Sequence, residues 1–101
     1  MPTVIYSTLQ EEKKRNIEMQ KVYSQQIKSL PKGTVIIKNV SGNKYYYLKY
    51  RQNSMVKTDY LGKNKKIVAD ILKKIEERKH LQEILKRLKT EYKQICKIVK
   101  D

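Results

Sequence analysis

The stretch that decides the fold lies at residues 33–63 and reads GTVIIKNVSGNKYYYLKYRQNSMVKTDYLGK. Three runs rich in β-branched and aromatic residues are separated by Ser41-Gly42-Asn43 and by Gln52-Asn53-Ser54. Gly and Asn tolerate the positive φ angles of tight turns, and connections this short join only neighbouring antiparallel strands. We therefore predict a three-stranded antiparallel meander, with strands at residues 34–40, 44–51 and 55–61.

The residues on both sides of this meander have the apolar spacing of helices. Thr8 and Glu11 have the spacing of a capping box, which places the helix start near Thr8, and Pro31 ends the helix. Asn64 is the predicted N-cap of the C-terminal helical segment. Two apolar stripes in that segment differ in phase across residues 76–79, which favours two helices there, although no Gly or Pro marks a break.

The whole chain is predicted to be a single α+β domain of order α-β-β-β-α-α, the last segment forming one or two long helices. Its parts are an N-terminal helix in residues 1–32, the β-meander in 33–63 and the helical segment in 64–101. A chain of 101 residues is too short for a barrel or a doubly wound nucleotide-binding fold.

The composition narrows the class of function. We find no paired carboxylates, no catalytic triad and no glycine-rich phosphate loop, and a single Cys and a single His offer no metal site. The expected protein is therefore not an enzyme and has no cofactor and no metal. The lone Cys96, the lack of a leader-like N-terminus and the lack of an apolar run of about 20 residues predict a cytoplasmic protein without a membrane partner.

The positive charge is concentrated in the meander. The chain carries a formal net charge of +14, which favours a polyanionic partner. In the helical segments acids alternate with the bases, as on solvated helices. Residues 33–63 instead hold six Lys or Arg against the single acid Asp59, together with five of the eight tyrosines. The meander is therefore the predicted binding element, and its partner is predicted to be nucleic acid, with DNA favoured over RNA.

Side-chain alternation along the strands assigns the binding face. Matching polarity across strands places Leu48, Val56 and Tyr60 on the face that packs on the helices. The opposite face then carries Tyr and basic residues, whose rings can stack on bases or sugars and whose cations can contact phosphates. Ordinary sheet construction is the alternative for these residue types. The predicted nucleic-acid-binding residues are Lys38, Lys44, Tyr45, Tyr47, Lys49, Arg51, Lys57 and Lys63.

Three segments carry a resemblance to known families: Leu30-Pro31-Lys32-Gly33-Thr34, the tyrosine-rich residues 44–51, and Tyr60-Leu61-Gly62-Lys63. Over residues 30–63 the chain resembles a widespread, largely uncharacterised small domain of bacteria, archaea and their mobile elements, phages among them. More distantly it resembles the arm-type DNA-binding domain of tyrosine integrases, on strand layout and polarity alone. That likeness implies DNA contact through the sheet, although this chain has no attached catalytic domain.

A second class of function rests on the helices. The apolar residues of the C-terminal segment have the spacing of a helix that dimerises or docks a partner. The alternative prediction is therefore a protein-interaction module, for example a mobile-element inhibitor of a host nucleic-acid enzyme such as a CRISPR effector. The residues of this stripe are Leu81, Leu85, Leu88, Tyr92, Ile95 and Val99.

Overall fold

A computed structural model of the chain describes residues 3–100 and contains two helices and three strands. In chain order the elements are α1 (Thr3–Ser29), β1 (Thr34–Val40), β2 (Asn43–Gln52), β3 (Met55–Gly62) and α2 (Lys65–Ile98). The three strands form one antiparallel sheet in the order β1-β2-β3. The predicted α+β class and the meander are confirmed.

The elements group into two compact units. The sheet unit is Leu30–Arg78, which contains the three strands and the first half of α2. The helical unit contains α1 and the second half of α2, from Lys79 onwards. The prediction of a single domain stays a prediction.

Both hairpin turns have two central residues with positive φ. Ser41 and Gly42 have φ angles of 52° and 81°, and Asn53 and Ser54 have φ angles of 51° and 67°. Two consecutive positive values are the signature of a type I′ turn, whose twist matches that of paired strands. The predicted left-handed conformation of Asn53 is confirmed, whereas Asn43 is the first residue of β2 rather than part of the first turn.

The helical segment after the sheet is one helix, which is one of the two predicted forms, and the break favoured at residues 76–79 does not occur. Glu76-Glu77-Arg78-Lys79 are all good helix formers, so nothing there interrupts the backbone hydrogen bonds. The change in apolar phase coincides with the boundary between the two units, at Arg78 and Lys79. The phase therefore changes because each half of α2 packs within a different unit.

The predicted helix starts have opposite outcomes. Asn64 is an N-cap, because its Oδ1 accepts a hydrogen bond of 2.9 Å from the backbone N–H of Lys66. The capping box at Thr8 and Glu11 is wrong, since α1 already begins at Thr3. The Thr8 hydroxyl instead donates to the carbonyl of Val4 (2.9 Å), one helical turn back.

A buried asparagine stands at the centre of the helical unit. Asn16 is 5 % exposed, and its Nδ2 donates to the backbone carbonyl of Leu88 at 2.9 Å. Its Oδ1 accepts a hydrogen bond of 2.6 Å from Gln20 Nε2, so both ends of the amide are satisfied. Lys13 lies over the ring of Tyr92 at 6.0 Å. The earlier residue of α1, Lys13, contacts the later residue of α2, Tyr92, and Asn16 contacts Leu88. The first helix, α1, and the second half of α2 are therefore antiparallel.

Each unit has a small apolar core. In the sheet unit the buried side chains are Leu48 of β2 with Val68 and Ile75 of α2, which lie two helical turns apart on one side of that helix. In the helical unit the buried apolar side chains are Ile27, Leu81, Leu88 and Val99. Over the residues described, neither α1 nor α2 carries an apolar stretch of the length needed to cross a bilayer.

Candidate nucleic-acid interface

The strand register divides the sheet into two faces, because directly paired residues of antiparallel strands point to the same side. Leu48 is the one buried strand residue among those described, and its side of the sheet is named here the Leu48 face. The other side is named the open face. Its members on β1 and β2 are Thr34, Ile36, Lys38, Val40, Asn43, Tyr45, Tyr47, Lys49 and Arg51, and β3 adds Val56, Thr58 and Tyr60.

The predicted placement of the β3 residues is wrong by one position. Tyr60 pairs with Tyr47 and Val56 pairs with Arg51, so Tyr60 and Val56 belong to the open face and are 58 % and 54 % exposed. Lys57 pairs with Tyr50 and therefore lies on the Leu48 face. The two-residue turn at Asn53 and Ser54 pairs Gln52 with Met55, and this pairing fixes the register regardless of polarity.

Lys44 also lies on the Leu48 face, because it precedes Tyr45 on the same strand and pairs with Asn39. The predicted site therefore contains two lysines, Lys44 and Lys57, that the structure separates from the others. Lys38, Tyr45, Tyr47, Lys49 and Arg51 share the open face as predicted.

A bulge places Lys63 on the open face. The register shifts between Tyr46 and Tyr47: Tyr47 pairs with Tyr60, whereas Tyr46 pairs with Gly62, so Leu61 is an extra residue in β3. Without the bulge Lys63 would follow on the Leu48 face, and with it Lys63 falls beside Tyr45. Its ammonium lies 4.8 Å from the centroid of the Tyr45 ring.

Five side chains of the open face form a continuous series of contacts, named here the ring row. Lys38 Nζ lies 4.8 Å from the centroid of the Tyr47 ring, and Tyr47 packs on Tyr60 with centroids 5.3 Å apart and a tilt of 51°. Tyr60 also packs on Tyr45 at 6.4 Å, and Lys63 covers Tyr45. The row is therefore three rings with an ammonium group at each end.

Lys49 and Arg51 lie further along β2 on the same face. They line a shallow concavity of about 440 Å³ together with Gly33, Thr34, Ile36, Tyr50 and Val56. Gly33 forms one side, with a φ of 122°, and a Cβ at this position would clash with the carbonyl oxygen of Lys49. The close approach of the two backbones therefore needs glycine at this position.

The only acid of the meander is kept off the open face. Asp59 pairs with Leu48 and lies on the Leu48 face, which Tyr50 shares. A hydrogen bond to Asp59 raises the pKa of the Tyr50 hydroxyl above its ordinary value of 10.0, and burial and the carboxylate charge add to the effect. Asp59 and Lys49 lie on opposite faces, so a cross-strand ion pair between them is excluded. The described strand residues of the open face thus include bases but no acid.

The helices carry their bases differently. Arg15 pairs with Glu12 at 3.1 Å, and Lys74 pairs with Asp70 at 3.1 Å, each within one helix. The i,i+4 pair of Asp70 and Lys74 confirms the predicted compensation on the polar side of α2. Exposed pairs of this kind contribute little stability, but they reduce the local excess of positive charge.

Sequence reasoning missed Tyr60 and the central role of Asn16. Tyr60 could have been placed from the turn length, since a two-residue turn at Asn53 and Ser54 fixes its partner as Tyr47. Asn16 lies seven residues after Leu9 and seven before Tyr23, the heptad spacing of a helix–helix contact. Because Asn16 is polar, the apolar spacing of α1 did not indicate that it would be buried.

Comparison with known proteins places the chain in an uncharacterised family. Residues 8–71 match the model of a family described as Domain of unknown function (DUF6788), which covers well over half of the chain. The match extends the resemblance to an uncharacterised domain beyond residues 30–63. No curated protein and no solved structure matches the chain.

Proposed function

The chain belongs to this family of unknown function, and we propose that it is a small, non-enzymatic nucleic-acid-binding protein that binds DNA through the open face of its sheet. The observation that carries the proposal is the separation of the meander's one acid from four of its six bases. Lys38, Lys49, Arg51 and Lys63 lie on or beside the open face, and Asp59 lies on the other.

The physical basis of binding is the neutralisation of phosphates. Each phosphate contacted by Lys or Arg releases condensed counterions, and this release dominates affinity for a polyanion. The described strand residues of the open face include no acid, so these four cations have no carboxylate partner on that face to leave when they bind a phosphate. The strand layout, similar to that of integrase arm-type domains, supports DNA over RNA as the partner.

The test compares two charge-matched double variants. Lys49→Gln with Arg51→Gln removes two cations from the open face, and Lys44→Gln with Lys57→Gln removes two from the Leu48 face of the same sheet. Fluorescence anisotropy with labelled DNA, measured over a range of salt concentrations, gives the slope of log K against log salt. We expect the open-face variant to reduce the magnitude of this slope by about 1.8, or 0.9 per lost phosphate contact.

The matched control is expected to keep the slope and most of the affinity. An equal loss in both variants would mean that only net charge matters, which contradicts the assignment of the open face. A wild-type chain that binds neither DNA nor RNA at low salt would remove the proposal altogether.

A second candidate function is a protein-interaction module or inhibitor, and the exposed apolar side chains of α1 support it. Leu81 and Leu88, the expected contact residues of the C-terminal helix, are buried within the chain, so a partner would use other residues. On α1, Met19 and Val22 are exposed and line a shallow groove with Tyr23. Light scattering tests self-association: a dimer mass that Val22→Glu restores to 12.1 kDa would support this candidate.

A further inference from the structure

We infer that the ring row positions the ammonium groups of Lys38 and Lys63 for phosphate binding, and that its ligand is the backbone of duplex DNA. The rings that position them are Tyr47, Tyr60 and Tyr45. The inference rests on the proposed function and names the part of the nucleic acid that this face contacts. In it the tyrosines are positioning residues: they act through the two lysines.

The contacts within the row show how the lysines are held. Lys38 comes from β1 and Lys63 follows β3, so the two ammonium groups approach the central strand from opposite edges of the sheet. A lysine side chain loses considerable rotamer freedom when it binds a single phosphate. An ammonium already held over a ring has lost part of that freedom beforehand, and its three donors still reach a phosphate oxygen.

The same contacts occupy faces of the Tyr45 and Tyr47 rings on which a base would otherwise stack. Single-strand binders present open ring faces, on which successive bases stack. Here the Tyr47 ring has Lys38 on the β1 side and Tyr60 on the β3 side, and the Tyr45 ring is covered by Lys63. A base stacked on one of these occupied ring faces would displace an ammonium group or another ring. In a duplex the bases stay stacked on each other, and the protein meets the phosphates first.

The second pair of cations extends the same surface. Lys49 and Arg51 follow Tyr45 and Tyr47 along β2, and six residues of strand span about 20 Å. Duplex DNA carries one negative charge per roughly 1.7 Å of its axis, so a surface of this length faces several phosphates at regular spacing. The cations near both ends of β2 can therefore contact phosphates of a stiff, regularly spaced polyanion such as duplex DNA.

The first experiment compares a duplex and a single strand of the same sequence and length in fluorescence anisotropy titrations. We expect the wild-type chain to bind the duplex more tightly. Lys38→Gln with Lys63→Gln is expected to reduce the magnitude of the duplex salt slope by about 1.8. A tighter single-strand complex that Tyr47→Leu weakens about tenfold or more would overturn the inference in favour of a stacking platform.

The second experiment is a double-mutant cycle between ring and cation. Tyr47→Leu is expected to weaken duplex binding about two- to fivefold, the range of a single cation–π contact. Tyr47→Phe keeps the ring face and is therefore expected to retain the wild-type affinity for the duplex. In the Lys38→Gln background Tyr47→Leu is expected to have no further effect, because the group it positions is gone.

The outcomes separate the two proposals. Equal losses from Tyr47→Leu in both backgrounds would show that the ring acts on DNA directly, which overturns the inference but keeps DNA binding on the open face. A complete lack of nucleic-acid binding would remove the proposed function instead. Thermal midpoints within a few degrees of wild type, measured by circular dichroism, identify the variants that retain the fold. The comparison of Tyr47→Phe with wild type remains valid even if Tyr47→Leu does not fold.

Discussion

Replacement of Gly33 by Ala tests the closest backbone approach in the sheet unit. The Cβ of the new residue would clash with the carbonyl oxygen of Lys49 and would stand 2.9 Å from the Cβ of Tyr50. Both neighbours belong to the central strand, so neither can move like the end of a flexible side chain. The substitution therefore separates β1 from β2 at the point where Thr34 pairs with Lys49.

Two costs determine the magnitude. A φ of 122° is a conformation that residues with a Cβ rarely adopt, which costs about 1–3 kcal/mol. Weakening of one or two backbone hydrogen bonds at the start of β1 adds about 1 kcal/mol each. We expect Gly33→Ala to lower the free energy of unfolding by about 3 kcal/mol or more.

Gly42→Ala is the matched control. Gly42 also has a positive φ, 81°, but a Cβ there would meet nothing within 4 Å. Its replacement therefore carries the conformational cost alone, about 1 kcal/mol. The two variants should differ by about 2 kcal/mol, or roughly 8–16 °C in thermal midpoint for a chain of this size.

The assay is urea and thermal denaturation followed by far-UV circular dichroism on wild type and both variants. Equal midpoints for Gly33→Ala and Gly42→Ala would refute the reasoning, because they would show that no backbone stands against Gly33. Tyrosine fluorescence, which reports mainly on the tyrosine-rich sheet, assigns the loss to the strands rather than the helices.

Three further predictions concern the core and one titrating group. Leu48→Ala should cost about 2–4 kcal/mol in urea denaturation, whereas Val56→Ala on the open face should cost under about 0.5 kcal/mol; similar losses would contradict the assignment of the faces. Asn16→Ala should cost about 1–3 kcal/mol in the same assay, because it leaves buried polar partners unpaired, and an unchanged midpoint would count against that contact. One tyrosine should titrate above 10.0 at 295 nm, and Asp59→Asn should remove this late phase if it belongs to Tyr50. Because the folded pKa is raised, the stabilisation from this contact is complete below about pH 10 and is lost as pH rises through the folded value.

Much of the fold was predictable because local signals were strong. The strands were correct to within one residue at each end, since β-branched runs, Gly42 and the Asn53-Ser54 pair act over a few neighbouring residues. The start of α1 was missed, because a Thr–Glu spacing resembles a cap even inside a helix. Two helices were favoured over the one continuous α2, because a change of packing partner alters the apolar phase as a break does.

The candidate site was only half predictable, and the reason is register. Lys38, Tyr45, Tyr47, Lys49 and Arg51 were grouped correctly, because alternation along one strand is a local property. The β3 residues were inverted, because polarity cannot align two strands when both of their faces carry polar and apolar residues.

The amino-acid sequence by itself determined the order of the elements, the short hairpins and the concentration of positive charge in the meander, because each depends on residues close in the chain. Only the tertiary structure decided which side chains meet. The turn at Asn53 brings Tyr60 to Tyr47, and the bulge at Leu61 brings Lys63 to Tyr45. In a sheet a shift of one residue moves a side chain to the opposite face, so contacts across strands follow from pairing and not from composition.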